Sequence, residues 1–358
     1  MNKIAVVGAG ISGLSMANYL EKHKIDYHIY ERRKKDDLAG HGFLIPQEGI
    51  EYLSQIIDRS LLFEHGSFLK KYIQYSHTGK VLAEKKLDNV FAISRHSLIH
   101  LLAQNISPEK ITYEETITPC NAKKGKLKQS DGAYIDADLA IISDGSRSRI
   151  RKNLFKEEKM NVVRENEVVN IIKDRGIADS IENDFMKFHH EAGGLTFGIL
   201  KLSHDTILWY SQFDNQKYRI NECPADNLKK YMLEIFREWY PLVPSIIKKS
   251  NYENVHLWCV YELEHLNPFY KDNIVFIGDA AHPLIPFTSQ GVTSALKDSS
   301  TLTKYLVEEE NLTEAFRKYE AERKPEIEIH INNGRILLNQ FLLPLDQQTE
   351  NILPISYK

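Results

Sequence analysis

The stretch IAVVGAGISGLSMANYL, residues 4 to 20, decides the fold of this chain. Its four leading apolar residues predict a strand that is buried on both faces. Gly8, Gly10 and Gly13 follow with the G-x-G-x-x-G spacing, which permits a tight turn, close approach of backbone to a pyrophosphate and close packing of helix on strand. The helix from Leu14 would point its unpaired N–H groups and its positive dipole end at that pyrophosphate.

Glu31 completes this pattern. Tyr27–Tyr30 predicts a second strand, and Glu31 follows it, about 20 residues beyond the glycines. An acid at the end of the second strand can accept hydrogen bonds from a ribose hydroxyl. The alternative is a glycine turn in an ordinary βαβ unit without a ligand. We therefore predict a dinucleotide site at this turn.

Composition narrows the classes of function. The chain has 358 residues, which suits about two domains. Its net charge of −3 gives no electrostatic basis for binding nucleic acid. Three separated cysteines without a C-x-x-C pair argue against a disulfide framework and favour a cytoplasmic location. No apolar run approaches the roughly 18 residues of a membrane span, so we expect no such span.

Two later segments combine a buried strand with an acid and a glycine. An apolar strand leads to Asp144-Gly145, and Asn273–Ile277 leads to Gly278-Asp279. The carboxyl ends of parallel strands are where α/β sheets bind ligands. After the second segment, Pro286–Gly291 opens a helix from Val292, which predicts another anion site assisted by a helix dipole.

Arg95 and Gly42 are further candidates for ligand contact. Ser94 predicts a helix N-cap, and an arginine in the first turn after it opposes the helix dipole unless an anion binds there. A surface salt bridge is the alternative. Gly42, with Gly40 two residues before it, permits the backbone near Leu44 to approach a flat ligand, or forms an ordinary surface turn.

The middle of the chain has a different pattern. Asp184–Glu191, Leu195–Leu202 and Thr206–Phe213 predict consecutive strands, and hence an antiparallel sheet. Aromatic residues are frequent in it, and they form either the sheet core or the wall of a substrate pocket. The candidate pocket residues are Phe188, Phe197, Trp209 and Phe213.

The three glycine–acid motifs, in this order, resemble those of the group A FAD-dependent monooxygenases of the aromatic-hydroxylase type, such as para-hydroxybenzoate hydroxylase. The resemblance implies an α/β fold with a Rossmann-like FAD-binding domain, an inserted antiparallel β-sheet substrate domain and C-terminal helices. The FAD-binding domain would comprise residues 1–70, 95–165 and 266–335. The substrate domain would comprise 71–94 and 166–265, and a C-terminal tail 336–358.

The same resemblance implies a set of cofactor contacts. They are Gly8, Gly10, Ser12 and Gly13 at the pyrophosphate, Glu31 and Arg32 at the adenosine ribose, Gly42 and Leu44 near the flavin, Arg95 at the phosphate and ribose region, Asp144 at the FAD, Asp279 at the ribityl chain, and Pro286, Gly291 and Val292 beside the isoalloxazine. The family often has Gly-Gln-Gly where this chain has Ser289-Gln290-Gly291. Whether the flavin swings between two positions therefore stays open.

The activity that the resemblance implies is hydroxylation of a small aromatic or polycyclic substrate. NADPH or NADH would reduce non-covalently bound FAD, and O2 would then form a C4a-hydroperoxyflavin. An FAD-dependent reductase or dehydrogenase of the same fold is one alternative, and a non-enzymatic flavin-fold carrier is another. The identity of the substrate, the catalytic side chain and the oligomeric state stay open at this point.

Fourteen histidines raise the question of a metal site. His189 and His190 are adjacent on a predicted strand, so their side chains would point to opposite faces. His282 follows Gly278-Asp279 and matches a histidine that is common in the family. We therefore expect no metal ligand, and a structural or flavin-neighbouring role for His282.

Overall fold

The structure is a computed structural model that describes residues 3–35, 42–121, 126–135, 137–220, 223–253 and 255–349. In these ranges the chain forms sixteen strands and ten α-helices. The strands are β1 (Ile4–Val7), β2 (Tyr27–Tyr30), β3 (Gly42–Ile45), β4 (Gly66–Ser76), β5 (Val81–Ser94), β6 (Ile111–Thr112), β7 (Thr118–Asn121), β8 (Lys126–Lys128), β9 (Leu139–Ile142), β10 (Met160–Lys173), β11 (Asp184–His189), β12 (Leu195–Lys201), β13 (Thr206–Asp214), β14 (His256–Leu263), β15 (Tyr270–Lys271) and β16 (Ile274–Phe276). The helices are α1 (Ile11–Lys22), α2 (Gln47–Leu53), α3 (Arg59–Glu64), α4 (Arg95–Ala103), α5 (Arg149–Leu154), α6 (Arg175–Ser180), α7 (Ala225–Ile235), α8 (Leu242–Lys249), α9 (Gly291–Glu308) and α10 (Leu312–Leu342).

The first sheet contains the strands that precede the three motifs. Its order is β15-β16-β9-β1-β2-β6. β1 pairs in parallel with β2 and with β9, and β9 pairs in parallel with β16. Val7 lies between Tyr30 and Ile142 in this register. The strands end together, so the residues that follow them meet at one edge of the sheet, here called the motif edge.

The second sheet has eight strands in the order β14-β10-β13-β12-β11-β4-β5-β3. β10, β13, β12 and β11 are antiparallel neighbours, as predicted. β11 and β4 pair in parallel instead. A long segment with strands of the first sheet separates these two strands, so no hairpin constrains their direction. β3 and the first residues of β4 and β10 extend the sheet beyond the predicted ranges 71–94 and 166–265.

The two faces of the second sheet have different partners. Successive residues of a strand point to opposite faces. One face packs against α7 and α8 in a core that includes Trp209, Phe236 and Ile246. The other face, here called the inner face, carries Leu208 and Tyr210 and lies across a cavity from the motif edge.

Helix α10 runs without interruption through Pro325, although the sequence predicts a charged helix over residues 312–331 that is broken or kinked near this proline. Proline removes one backbone hydrogen bond, but side-chain contacts on both sides of it tie the helix to neighbouring elements. Before the proline, Arg323 donates to Asp298 (2.8 Å), and after it Arg335 donates to Glu262 (2.8 Å). The start of the predicted C-terminal tail is therefore helical, and its end lies outside the described residues.

Candidate functional site

A cavity of about 940 Å³ lies between the motif edge and the inner face. On one side it is lined by the β1–α1 turn, the loops after β2, β9 and β16, and the first turns of α4 and α9. On the other side it is lined by residues of β10, β11, β12, β13 and β14. Its volume is at the upper end of the roughly 300–1,000 Å³ that is usual for ligand pockets. The cavity thus has room for a large ligand together with a small one.

The predicted cofactor contacts, with the exception of Gly13, all line this cavity. They are Gly8, Gly10, Ser12, Glu31, Arg32, Gly42, Leu44, Arg95, Asp144, Asp279, Pro286, Gly291 and Val292. Residues as far apart in the sequence as Gly8 and Val292 are thereby brought to one surface, because β1, β2, β9 and β16 end at the motif edge and β3, α4 and α9 line the same cavity. Gly40, which the sequence placed beside Gly42, lies outside the described residues.

Gly13 is set back from the cavity and has a packing role. A Cβ at Gly13 would collide with the carbonyl oxygen of Gly8 and approach the hydroxyl of Ser143. Gly8 itself has a φ of 106°, which side chains disfavour. Ser143 donates to the carbonyls of Val7 (2.9 Å) and Gly8 (3.1 Å). The third glycine therefore lets the start of α1 pack closely on the loop after β9.

Gly10, Gly145 and Gly291 face open space instead. A Cβ at any of the three would meet no described atom within 4 Å. All three lie at the cavity wall, and Gly10 and Gly291 stand at the beginning of α1 and α9. The missing side chains leave backbone N–H groups of helix N-termini accessible, which is the arrangement that binds phosphate groups. The site therefore fits an anionic dinucleotide.

Glu31 lies at the cavity wall directly after β2, as predicted. Its carboxylate oxygens accept the backbone N–H groups of Ala9 (2.7 Å) and Arg33 (2.8 Å). Each oxygen has a second lone pair and can still accept from a ribose hydroxyl. Glu31 thus also holds the glycine-rich turn in place, a role that the sequence did not predict.

Charged side chains from α4 and from the loops after β9 and β16 line the cavity. Ser94 caps α4 by accepting from the N–H of Ser97 (3.0 Å), as predicted, and this places Arg95 at the wall. Burial lowers the pKa of Arg95, while the facing Asp279 opposes that shift. Burial also raises the pKa of Asp279 and of Asp144. Asp144 Oδ1 has no hydrogen-bond partner in the described part of the chain, so a ligand hydroxyl that donates to it would remove a desolvation cost.

Arg151 joins the two acid–glycine loops, and the sequence analysis missed it. Its side chain is buried. The guanidinium donates to the carbonyls of Ser146 (2.7 Å), after β9, and Ala280 (2.7 Å), after β16, and pairs with Glu158 (2.7 Å). The signal for it lay in Ser148, an N-cap residue that predicts a short helix turning the arginine back toward the loop.

His282 holds the loop after β16 from behind and does not line the cavity. Its Nε2 lies 2.6 Å from Asp298, which also accepts the N–H of Gly278 (2.7 Å) and pairs with Arg323 (2.8 Å). Burial alone would raise the pKa of Asp298, but His282 and Arg323 together lower it. The cluster is a buried structural network, so of the two expected roles for His282 the structural one is observed.

The four predicted pocket aromatics are on the wrong face of the sheet. Phe188, Phe197, Trp209 and Phe213 are fully buried in the core that faces α7 and α8, away from the cavity. Phe197 and Trp209 stack there with ring centroids 5.1 Å apart. The strands were predicted correctly, but alternation shows only which residues share a face, not which face meets a ligand.

The inner face instead carries a polar chain of side chains that the sequence analysis missed. Lys187 Nζ donates to Gln212 Oε1 (2.7 Å), and Gln212 Nε2 donates to Glu167 (2.8 Å). All three residues line the cavity. Next to them the Tyr210 ring lies so close to Gly198 that a Cβ there would collide with it. The available signal was the recurrence of polar residues at alternate positions within otherwise apolar strands.

The described residues contain neither a metal-binding cluster nor a helix that could span a membrane. Among the described residues, no three His, Cys, Asp or Glu side chains lie close enough together to hold a metal ion. His189 ends β11, and His190 follows it. None of the described helices is both long enough and apolar enough to cross a membrane.

Comparison with known families decides what the motif edge is. The family described as "FAD binding domain" matches residues 1–333. The chain belongs to this FAD-binding family. The match covers both sheets, so the inner face is part of the same family fold.

Three relatives indicate how far the similarity of this FAD-binding protein extends. The 6-hydroxynicotinate 3-monooxygenase of Pseudomonas fluorescens is 24% identical over 343 residues, which cover 90% of this chain and 87% of that protein. The crystal structure of Klebsiella pneumoniae HpxO complexed with FAD and uric acid matches with a TM-score of 0.85 at 19% identity, covering 97% of this chain and 90% of that one. The structure of 2,6-dihydroxypyridine-3-hydroxylase from Arthrobacter nicotinovorans matches with a TM-score of 0.82 at 16% identity, covering 99% and 94%.

The predicted family, the α/β fold class and the FAD cofactor are therefore confirmed. The prediction of an FAD-dependent oxidoreductase of the monooxygenase type is confirmed as well. The residues at the motif edge are compatible with FAD, because open glycines stand at two helix N-termini and Asp144, which lines the same cavity, has a buried carboxylate oxygen without a partner among the described residues.

Proposed function

We propose that this protein uses NADH or NADPH and O2 to place one oxygen atom on a small, electron-rich ring that lies between FAD and the inner face. The observation that supports this proposal is the single cavity that the motif edge and the inner face share. A flavin held at the motif edge supplies electron transfer from nicotinamide and the activation of O2. The remaining volume then suits a flat substrate.

The proposed cofactor contacts follow the elements that carry them. The β1–α1 turn, with Gly8, Gly10 and Ser12, would bind the pyrophosphate at the positive end of the α1 dipole. Glu31 would accept from the adenosine ribose and Asp279 from the ribityl chain, with Arg32, Arg95 and Asp144 nearby. Gly42, Leu44, Pro286, Gly291 and Val292 would surround the ring system. At its far end, the cavity is walled by Leu208 and Tyr210, which exclude water from the place where the ring substrate would lie.

The names of the relatives suggest which compounds to test first. One relative is named for 6-hydroxynicotinate and one for 2,6-dihydroxypyridine, and the HpxO structure contains uric acid. These are small ring compounds of a size that suits the proposed substrate site. A cytoplasmic location, inferred from the separated cysteines, is part of the same proposal.

The test is turnover of the purified FAD-loaded protein with isotope-labelled O2. In the presence of a substrate we expect NADH or NADPH oxidation, O2 uptake and the incorporation of labelled oxygen into the product. Reduction or dehydrogenation of the substrate without label would instead indicate the reductase or dehydrogenase alternative. A protein that binds FAD but oxidises neither NADH nor NADPH would indicate the non-enzymatic carrier.

A further inference from the structure

Lys187 places a buried ammonium group at the wall of the cavity. The residue is only 4% exposed. Within the described residues, its hydrogen bond is to Gln212 Oε1, at 2.7 Å. An ammonium carries three donors, and a buried charge with unused donors is costly unless a partner is supplied. Lys187 therefore has donor capacity that the described chain does not use.

Gln212 keeps this ammonium apart from the nearest acid. Lys187 can only donate, so Gln212 must present its carbonyl oxygen to it, and the amide nitrogen then donates to Glu167 Oε1 (2.8 Å). The amide thus lies between the ammonium and the carboxylate. The positive charge remains available to a ligand in the cavity rather than being consumed in a direct ion pair.

The ammonium also lies close to the segment that precedes α9. Lys187 Nζ is 5.7 Å from the centre of the Tyr210 ring and 5.8 Å from the centre of the Phe287 ring. Phe287 belongs to the turn Pro286–Thr288, directly before the N-terminus of α9. The two rings hold the cation by attraction to their faces and offer apolar walls to a flat ligand. The ammonium is therefore within reach of a ring bound between the two sheets.

The ionisable groups around Lys187 leave the positive charge in place near neutral pH. Burial lowers the pKa of Lys187 to about 8, and Glu167 and Glu165 on β10 oppose this shift. Burial raises the pKa of Glu167 to about 7. Burial, and next the charge of Glu167, raise the pKa of Glu165 well above its ordinary value. His189, on the same strand as the lysine, has its pKa lowered well below its usual range by burial and then by Lys187.

We propose that Lys187 selects the substrate by binding an oxyanion carried on the substrate ring. A phenolate, an enolate or a carboxylate oxygen offers the same chemistry to an ammonium, a charge-assisted hydrogen bond. Such an oxygen would occupy donors that are now unused and orient the ring against Tyr210 and Phe287. The inference deepens the proposed function and rests on it for the position of the ring beside FAD.

The test is binding to the FAD-loaded protein in the absence of nicotinamide. Two pairs of probes are titrated at pH 7.5 and followed by isothermal titration calorimetry: 4-nitrophenol against 4-nitroanisole, and benzoate against benzamide. We expect the anionic member of at least one pair to bind about tenfold or more tightly than its neutral partner, equivalent to ~1.4 kcal/mol. The pair that shows the preference distinguishes a phenolate site from a carboxylate site.

Variants assign this preference to the lysine. Lys187→Met should bring the two members of the pair to within about twofold of each other, or ~0.4 kcal/mol, without weakening the neutral probe, and Lys187→Arg should retain the preference. Lys71→Met is the matched control, since this lysine lies on β4 in an exposed pair with Glu84 (2.9 Å) and should behave as the wild type. If Lys187→Met does not fold, the double variant Lys187→Met with Glu167→Gln removes both charges and takes its place.

Two results would overturn the inference. One is that anionic and neutral probes bind equally in both pairs, or that the neutral probes bind more tightly. Tighter binding of the neutral probes would mean that the charge of Glu167, not that of Lys187, determines the preference. The other is an anion preference that survives in Lys187→Met. Because no turnover is measured, these outcomes are separate from the fate of the proposed function. A protein that prefers anions but consumes no O2 keeps this inference and loses that proposal.

Discussion

The motif edge and the inner face form the two sides of one cavity by different means. At the motif edge the backbone forms much of the surface, through strand ends, helix N-termini and glycines such as Gly10 and Gly291. At the inner face side chains on alternate strand positions form it, among them Lys187 and Gln212. A surface made by backbone follows from the fold, whereas a surface made by side chains can change without changing the fold. The cofactor is thus predictable from short motifs, and substrate choice is not.

The largest expected effect would distinguish the two faces of the second sheet. Trp209→Ala should lower the free energy of unfolding by about 3–5 kcal/mol, because Trp209 stacks on Phe197 and donates to Ser250 (2.8 Å) in the core. Tyr210→Phe, one residue along on the inner face, should change it by less than about 1 kcal/mol. Urea denaturation measures both. Equal losses would contradict this assignment of faces.

A second variant would test whether the motif edge depends on one buried side chain. Arg151→Met should lower the free energy of unfolding by about 3 kcal/mol, because it leaves Glu158 buried without its partner. It should also weaken FAD binding, because two loops lose their common donor. Arg175→Ala, at an exposed pair with Asp179, is the control and should change stability by less than about 0.5 kcal/mol. If Arg151→Met unfolds as cooperatively as the wild type and at the same urea concentration, the loops do not need Arg151.

Alanine substitutions at two glycines of the motif edge would distinguish a glycine needed for packing, Gly13, from one needed for FAD binding, Gly10. Gly13→Ala should destabilise the FAD-free protein by about 1–3 kcal/mol, since its Cβ would collide with the Gly8 carbonyl. Gly10→Ala should leave the FAD-free protein as stable as the wild type and weaken FAD binding, since its Cβ would project into the cavity. Thermal unfolding without FAD, and FAD titration of each variant, measure the two effects. The reverse pattern would contradict these roles.

Glu31 combines both roles, and its substitution would sharpen the comparison. Glu31→Ala should weaken FAD binding by about 1–3 kcal/mol, the usual loss when hydrogen bonds to a charged acceptor are removed. The fold should survive, because the residue follows a strand end at the cavity wall. FAD titration followed by fluorescence gives the affinity, with Glu51→Ala on the exposed face of α2 as control. Unchanged affinity would mean that the carboxylate serves only Ala9 and Arg33.

The smallest expected effect concerns pH and the inner face. The pKa of Glu167 is raised from 4.5 to about 7 by burial, so folding favours its neutral form. Between about pH 4.5 and pH 7 the carboxyl group ionises in the unfolded protein but stays neutral in the folded one. The free energy of unfolding should therefore fall by about 1–2 kcal/mol as the pH rises through this range. Glu167→Gln should lack this part of the pH dependence. Urea denaturation of both proteins at pH 4.5 and pH 7 measures the difference. If the free energy of unfolding changes equally with pH in the two proteins, the pKa of Glu167 is not raised.

Helix α10 and the β4–β11 pair show where sequence prediction reached its limit. Pro325 predicts an interruption because proline removes a backbone hydrogen bond, yet the ion pairs Arg323–Asp298 and Arg335–Glu262 stabilise the helix on both sides. The partners of these arginines are distant in sequence, so no local pattern reveals them. The parallel pairing of β4 with β11 likewise depends on chain segments that lie between them.

The sequence by itself determined the motif edge, because each motif there is a strand, a turn and a helix start whose geometry depends on residues within a few positions. Parallel pairing then brings Gly8, Glu31, Asp144 and Asp279 to one edge. Only the tertiary structure decided the inner face. A strand period of two residues offers two faces, and it is the packing of α7 and α8 on one of them that leaves the other, with Lys187, to the ligand.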